Sequence, residues 1–90
     1  MKVIGYVSSE EYLALAEVSV VFEKDDEVVY HTKSLATGAV LASLDSGKYR
    51  VVFAKEGFVP KHVEVTLPIK EPVQFRLLSN RLVGYMSPRW

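Results

Sequence analysis

The sequence predicts an all-β fold, a two-layer β-sandwich, from three observations. Short apolar runs alternate with a period of two. Valine dominates the apolar set and favours extended backbone. Turn-forming residues interrupt the runs at the spacing of about 8–12 residues typical of sandwiches. No helical period persists beyond one turn, so the pattern resolves into seven short strands that must bury one face each against a partner layer.

In chain order, Lys2 to Ser8 reads as a first strand, with Val3, Gly5 and Val7 alternating with Ile4, Tyr6 and Ser8 and apolar residues on both faces. Ser9 to Leu15 breaks the pattern and is read as a loop. A serine oxygen in Ser8-Ser9-Glu10-Glu11 is suited to accept the free N–H groups of a following turn, so a short capped helix is the alternative there. Glu17 to Lys24 places Val18, Val20 and Phe22 on a buried face. Asp25-Asp26 tolerates turn conformations and joins this strand to Glu27 to Lys33 as a hairpin.

Gly38 to Leu44 and Lys48 to Lys55 read as the next hairpin, around Asp45-Ser46-Gly47, with Tyr49, Val51 and Phe53 as core residues. Gly38, Gly47 and Gly57 mark the places where strands start, reverse or stop. Phe58 to Leu67 carries Val63, Val65 and Leu67 in alternation, and Pro60 places its beginning at an edge or bulge. Pro72 to Leu78 supplies the last strand through Val73, Phe75 and Leu77.

The division that follows is a sandwich over residues 1–78 and a tail or linker over 79–90 leading into a following module. The tail repeats the pattern of the first strand: Leu82-Val83-Gly84-Tyr85-Met86-Ser87 mirrors Val3-Ile4-Gly5-Tyr6-Val7-Ser8. A second β-rich module opening inside the tail is the expectation, set against chance similarity of two strand-like hexamers.

Ninety residues suffice for one domain with a single core. Eleven basic residues balance eleven acidic ones, so the chain lacks the one-signed field that draws proteins to nucleic acid. The absence of cysteine excludes disulfides, thiolate chemistry and sulfur-ligated zinc. Met1 to Tyr6 contains neither a signal-type apolar run nor a cleavage site, and no stretch is long enough to insert into a membrane as a helix. The compartment is left open.

Candidate chemistry is sparse. His31 and His62 with Glu17 or Glu64 have the residue types of a metal or general-base site, but they fall on separate strands, and His62 alternates away from the core. The cluster Glu23-Lys24-Asp25-Asp26-Glu27 lacks the alternating ligands and glycine of a calcium loop and reads as a solvated turn. Ser43 and Ser46 belong to a turn and not to a nucleophilic triad. Phosphate-cradling glycine loops are missing. The expectation is no catalytic residue, no cofactor and no metal. Tyr6, Tyr12, Tyr30, Tyr49, Tyr85 and Trp90 would form a sugar-stacking surface only if several lay exposed together.

The run from Leu35 to Phe58 combines a Gly-led strand, the element Leu44-Asp45-Ser46-Gly47-Lys48-Tyr49 and the pair Gly57-Phe58 before the next strand. In this it resembles the carboxypeptidase regulatory-like domains, which are transthyretin-like (prealbumin-like) sandwiches. Leu15-Ala16-Glu17-Val18-Ser19-Val20 is similar to the second strand of that family, and the resemblance spans Lys2 to Leu78. It implies a seven-stranded Greek-key β-sandwich and a non-catalytic accessory domain of a larger protein, mediating interdomain or protein–protein packing. Its partners would be neighbouring domains of the same polypeptide. The hydroxyisourate hydrolases of this topology end in Tyr-Arg-Gly-Ser, which Ser87-Pro88-Arg89-Trp90 does not reproduce.

Three alternatives stand beside the accessory reading: a carbohydrate-binding module, a small hydrolase with a cleft joining a histidine to a carboxylate, and the N-terminal domain of a large amidohydrolase. The last rests on the tail from Gly84 to Trp90, which is similar to the opening of the lectin-like region in dimethylformamidase-type enzymes. The expected interaction surface contains Tyr6, Tyr85 and Trp90.

Overall fold

A computed structural model describes residues 2–80. Seven strands form in chain order: β1 (Lys2–Ser9), β2 (Ser19–Lys24), β3 (Glu27–Lys33), β4 (Ala39–Ala42), β5 (Gly47–Ala54), β6 (Lys61–Leu67) and β7 (Val73–Leu77). They build two sheets, one of three strands in the order β4-β1-β7 and one of four in the order β3-β2-β5-β6. Every pairing is antiparallel except β1 with β7, which is parallel.

The period-two pattern places the core as expected. Val18, Val20, Phe22, Tyr49, Val51, Phe53, Val65 and Leu67 are buried from the four-stranded side, and Ile4, Val7, Val40, Phe75 and Leu77 from the three-stranded side. One aromatic pair connects the layers: Phe53 on β5 meets Phe75 on β7 at 4.6 Å between ring centroids, while within the four-stranded sheet Phe22 takes the Tyr49 ring edge-on at 6.4 Å. Val73 opens β7 and is exposed.

The β2–β3 hairpin turns at Asp25 and Asp26, whose φ angles of 54° and 64° give the left-handed pair that a two-residue hairpin needs. Glu17 also has positive φ, at 61°, so β2 starts two residues later than the alternation suggests. Pro60, which has no N–H to donate, delays β6 to Lys61.

One sequence expectation is overturned. Gly38 to Leu44 and Lys48 to Lys55 are not a hairpin: β4 pairs with β1 in one sheet, and β5 pairs with β2 and β6 in the other. Residues 43–46 therefore form an arch between the layers. Both sides of β5 are already hydrogen-bonded, from Ser19↔Ala54 to Glu23↔Arg50 on one side and from Gly47↔Leu67 to Phe53↔Lys61 on the other. The arch is tied by the Tyr49 hydroxyl, which donates to the Asp45 carbonyl at 2.7 Å, and Leu44 packs against the core beneath it.

The first strand reconciles its two apolar faces through a bulge. Its pairing with β4 slips between Val3 and Gly5, and Ile4 and Gly5 are both buried. Gly5 lies against β7, where an added Cβ would stand 2.2 Å from the Val73 carbonyl oxygen.

On the β3–β4 side the chain is closed by Ser34, which is 2 % exposed. Its Oγ accepts from the Val18 N–H at 2.9 Å and donates to the Leu15 carbonyl at 2.7 Å. Its own N–H and carbonyl bond Val18 O and Glu17 N–H. Ser34→Ala leaves a buried donor and an acceptor unpaired and is expected to cost about 2 kcal/mol. Urea unfolding with an unchanged slope checks it, and a loss below about 0.5 kcal/mol contradicts the bridging role.

Candidate interaction surface

At the end of β1 a buried serine builds a protruding turn. Ser9 Oγ accepts from the Glu11 N–H at 3.1 Å and the Leu13 N–H at 3.4 Å, while Tyr12 N–H donates to the Ser9 carbonyl at 3.0 Å. Ser9 N–H bonds Leu13 O at 2.9 Å, and an antiparallel bridge joins Ser8 to Ala14. The serine oxygen thus serves the following N–H groups as the sequence suggests, but in a tight turn and not in a helix. With its backbone satisfied this way, the turn thrusts Tyr12 and Leu13 outward, at 72 % and 61 % exposure.

The same turn holds the end of the last strand. The Glu10 Oε1 accepts from the Ser79 N–H at 2.7 Å, Ser79 bridges Phe58, and Asn80 N–H donates to the Gly57 carbonyl at 2.8 Å. Ser79 and Asn80, assigned to the tail by the sequence reading, are therefore bonded to the sandwich. Between the two turns lies a concavity of about 350 Å³ lined by Glu10, Leu13, Leu15, Phe58 and Ser79 among others. Leu78, 44 % exposed, stands beside it in sequence.

Of the predicted surface residues, Tyr6 sits at mid-strand on β1, half-buried, opposite Ala39 and Gln74. Alternation along β1 and β7 puts Tyr6, Ser8 and Arg76 on the outer face of the three-stranded sheet. The guanidinium carbon of Arg76 lies 3.9 Å from the Tyr12 ring centroid, a cation–π contact that continues this face onto the turn. The Arg76 Nε is buried without an acceptor. Tyr85 and Trp90 lie outside the described residues.

Tyr30 and Tyr49 do not join this surface, because both rings pack against Phe22, whereas Tyr12 belongs to it with one face covered by Arg76. No group of three or more His, Cys, Asp or Glu side chains converges among the described residues.

The two histidines occupy one cross-strand row, His31↔Val21↔Val52↔His62. Three strand spacings of about 4.8 Å put them roughly 14 Å apart. Each has a local partner instead. His31 Nε2 meets Ser19 Oγ at 3.0 Å, and His62 Nδ1 accepts from Arg50. On the acidic hairpin tip, Lys24 turns inward over the Tyr49 ring at 5.3 Å.

Compared with known proteins, the chain matches no family model and no curated sequence. The surface at the Ser9 turn escaped the sequence reading because its exposure depends on where one serine side chain points. The nearest signal was the serine's suitability as an N–H acceptor.

Proposed function

We propose that this chain is a non-catalytic accessory β-sandwich, of the Greek-key, transthyretin-like kind found in carboxypeptidase regulatory-like domains, that packs against a neighbouring domain of the same polypeptide. The observation that carries the packing reading is the exposure of Tyr12 and Leu13 next to the anchored Ser79–Asn80 segment. These side chains contribute little to this domain's own core, and an apolar group held rigidly beside the continuing chain suits an interdomain contact.

Two features support the fold-family part. Four connections cross between the sheets, so that β2 and β5 become neighbours although β3 and β4 intervene in sequence. The Tyr49 hydroxyl bonded to a carbonyl four residues upstream is a corner that Greek-key sandwiches use. The dimethylformamidase-like parent is an extension of this reading and rests on residues 84–90.

Leu13→Ser tests the packing role. As an exposed substitution it is expected to shift the stability of the isolated chain by no more than about 0.5 kcal/mol. In the longer polypeptide it is expected to raise hydrogen exchange in the 9–13 turn and lower the unfolding temperature. Unchanged exchange and melting there would remove this surface as the contact.

A further inference from the structure

We propose that β3 is a self-association edge, pairing antiparallel with β3 of a second copy of this chain about a two-fold axis. The inference uses residues away from the Ser9 turn and stands independently of the packing role.

The two open sheets have four edges, β3 and β6 in one and β4 and β7 in the other, and they differ in what protects them. β4 is only four residues long. The β7 side is crossed by Lys61 Nζ donating to the Arg76 carbonyl at 3.1 Å and by Val59 N–H donating to the Leu78 carbonyl at 2.8 Å. β6 is flanked by Pro60 and Pro68, and self-pairing about its middle residue would set Glu64 against Glu64 of the second copy.

β3 is neither short, nor crossed by another segment's hydrogen bonds, nor flanked by proline, and its one interruption is a bulge. Its seven residues contain no proline, and its fixed charges stand only at its ends. Its pairing slips where Tyr30 faces Phe22 and Val28 faces Glu23, leaving Val29 unmatched in a bulge. Val28 and Val29 are consequently 62 % and 47 % exposed, side by side on the free edge.

Charge selects a second copy in antiparallel orientation. The edge begins at the acidic run Asp25-Asp26-Glu27 and ends at Lys33. Two-fold pairing lays each acidic end against the other copy's Lys33, twice by symmetry, whereas a parallel arrangement stacks like on like. The present partner of Lys33 is Glu17 at 3.8 Å, with side chains 59 % and 71 % exposed, an ion pair weak enough to be exchanged.

Sedimentation equilibrium of the full chain, with circular dichroism confirming the fold of every variant, tests this. The wild type is expected to dimerise in a concentration-dependent manner. Lys33→Glu and Glu27→Lys are each expected to weaken association about tenfold, and the double variant to restore it. A wild type that stays monomeric, single variants that dimerise as well as the wild type, or a double variant no better than the singles would each overturn the proposal.

Discussion

Phe53→Ala is expected to lower the stability of this domain by about 4 kcal/mol. Phe53 is fully buried on an interior strand, hydrogen-bonded through its backbone to the strands carrying Val20 and Lys61, and its ring rests 4.6 Å from that of Phe75 in the other sheet. Truncation removes the transfer free energy of the ring. It also opens a cavity that neither sheet can close without sliding over the other.

A chain of this size has a total stability of roughly 5–13 kcal/mol, so the variant is left marginal. Its melting temperature should fall by about 20 °C. Phe53→Leu, which keeps most of the volume, should lose about 1 kcal/mol, and Val28→Ala on the exposed edge no more than about 0.5 kcal/mol. Chemical denaturation of the three variants measures the series. A Phe53→Ala loss near that of Val28→Ala would mean that the rings do not join the sheets.

The residues that make this core were legible in sequence because burial in a sandwich follows the period of the strand. Val18, Val20 and Phe22, and likewise Tyr49, Val51 and Phe53, announce their inward face by alternation alone. The sheet to which each strand belongs is not local information. Leu44 to Gly47 has the same turn chemistry whether it closes a hairpin or arches between layers, and the choice is made by distant residues that occupy both sides of β5.

The candidate surface was less legible still. Tyr6 is visible as an aromatic on a strand with two apolar faces, but its half-buried placement depends on the slip between Val3 and Gly5. The prominence of Tyr12 and Leu13 depends on Ser9 satisfying two N–H groups at once. Ser34 illustrates the same limit. Its role as a bridge between Leu15 and Val18 arises from contacts sixteen and nineteen residues away in sequence.

Gly5→Ala should destabilise the domain by about 3 kcal/mol, although alanine is ordinarily at home in a strand better than glycine. The reason is space. β1 is the central strand of the three-stranded sheet, and at Gly5 it is matched to Val40 on one side and Val73 on the other. A methyl group at this position would lie 2.2 Å from the Val73 carbonyl oxygen and 2.5 Å from the Phe75 Cε2. The carbonyl belongs to a paired strand and cannot rotate aside as the end of a flexible side chain can.

Relief is available only by separating β7 from β1 or by displacing Phe75 from Phe53. The first route breaks pairing within the three-stranded sheet, the second breaks the ring contact between the sheets, and both fall on β7. The variant should therefore lose hydrogen-exchange protection first in Val73–Leu77, while the β2–β3 hairpin, which belongs to the other sheet, keeps its protection until global unfolding. Thermal melting within about 3 °C of the wild type, or protection lost uniformly across both sheets, would refute this account of why β1 carries a glycine at residue 5.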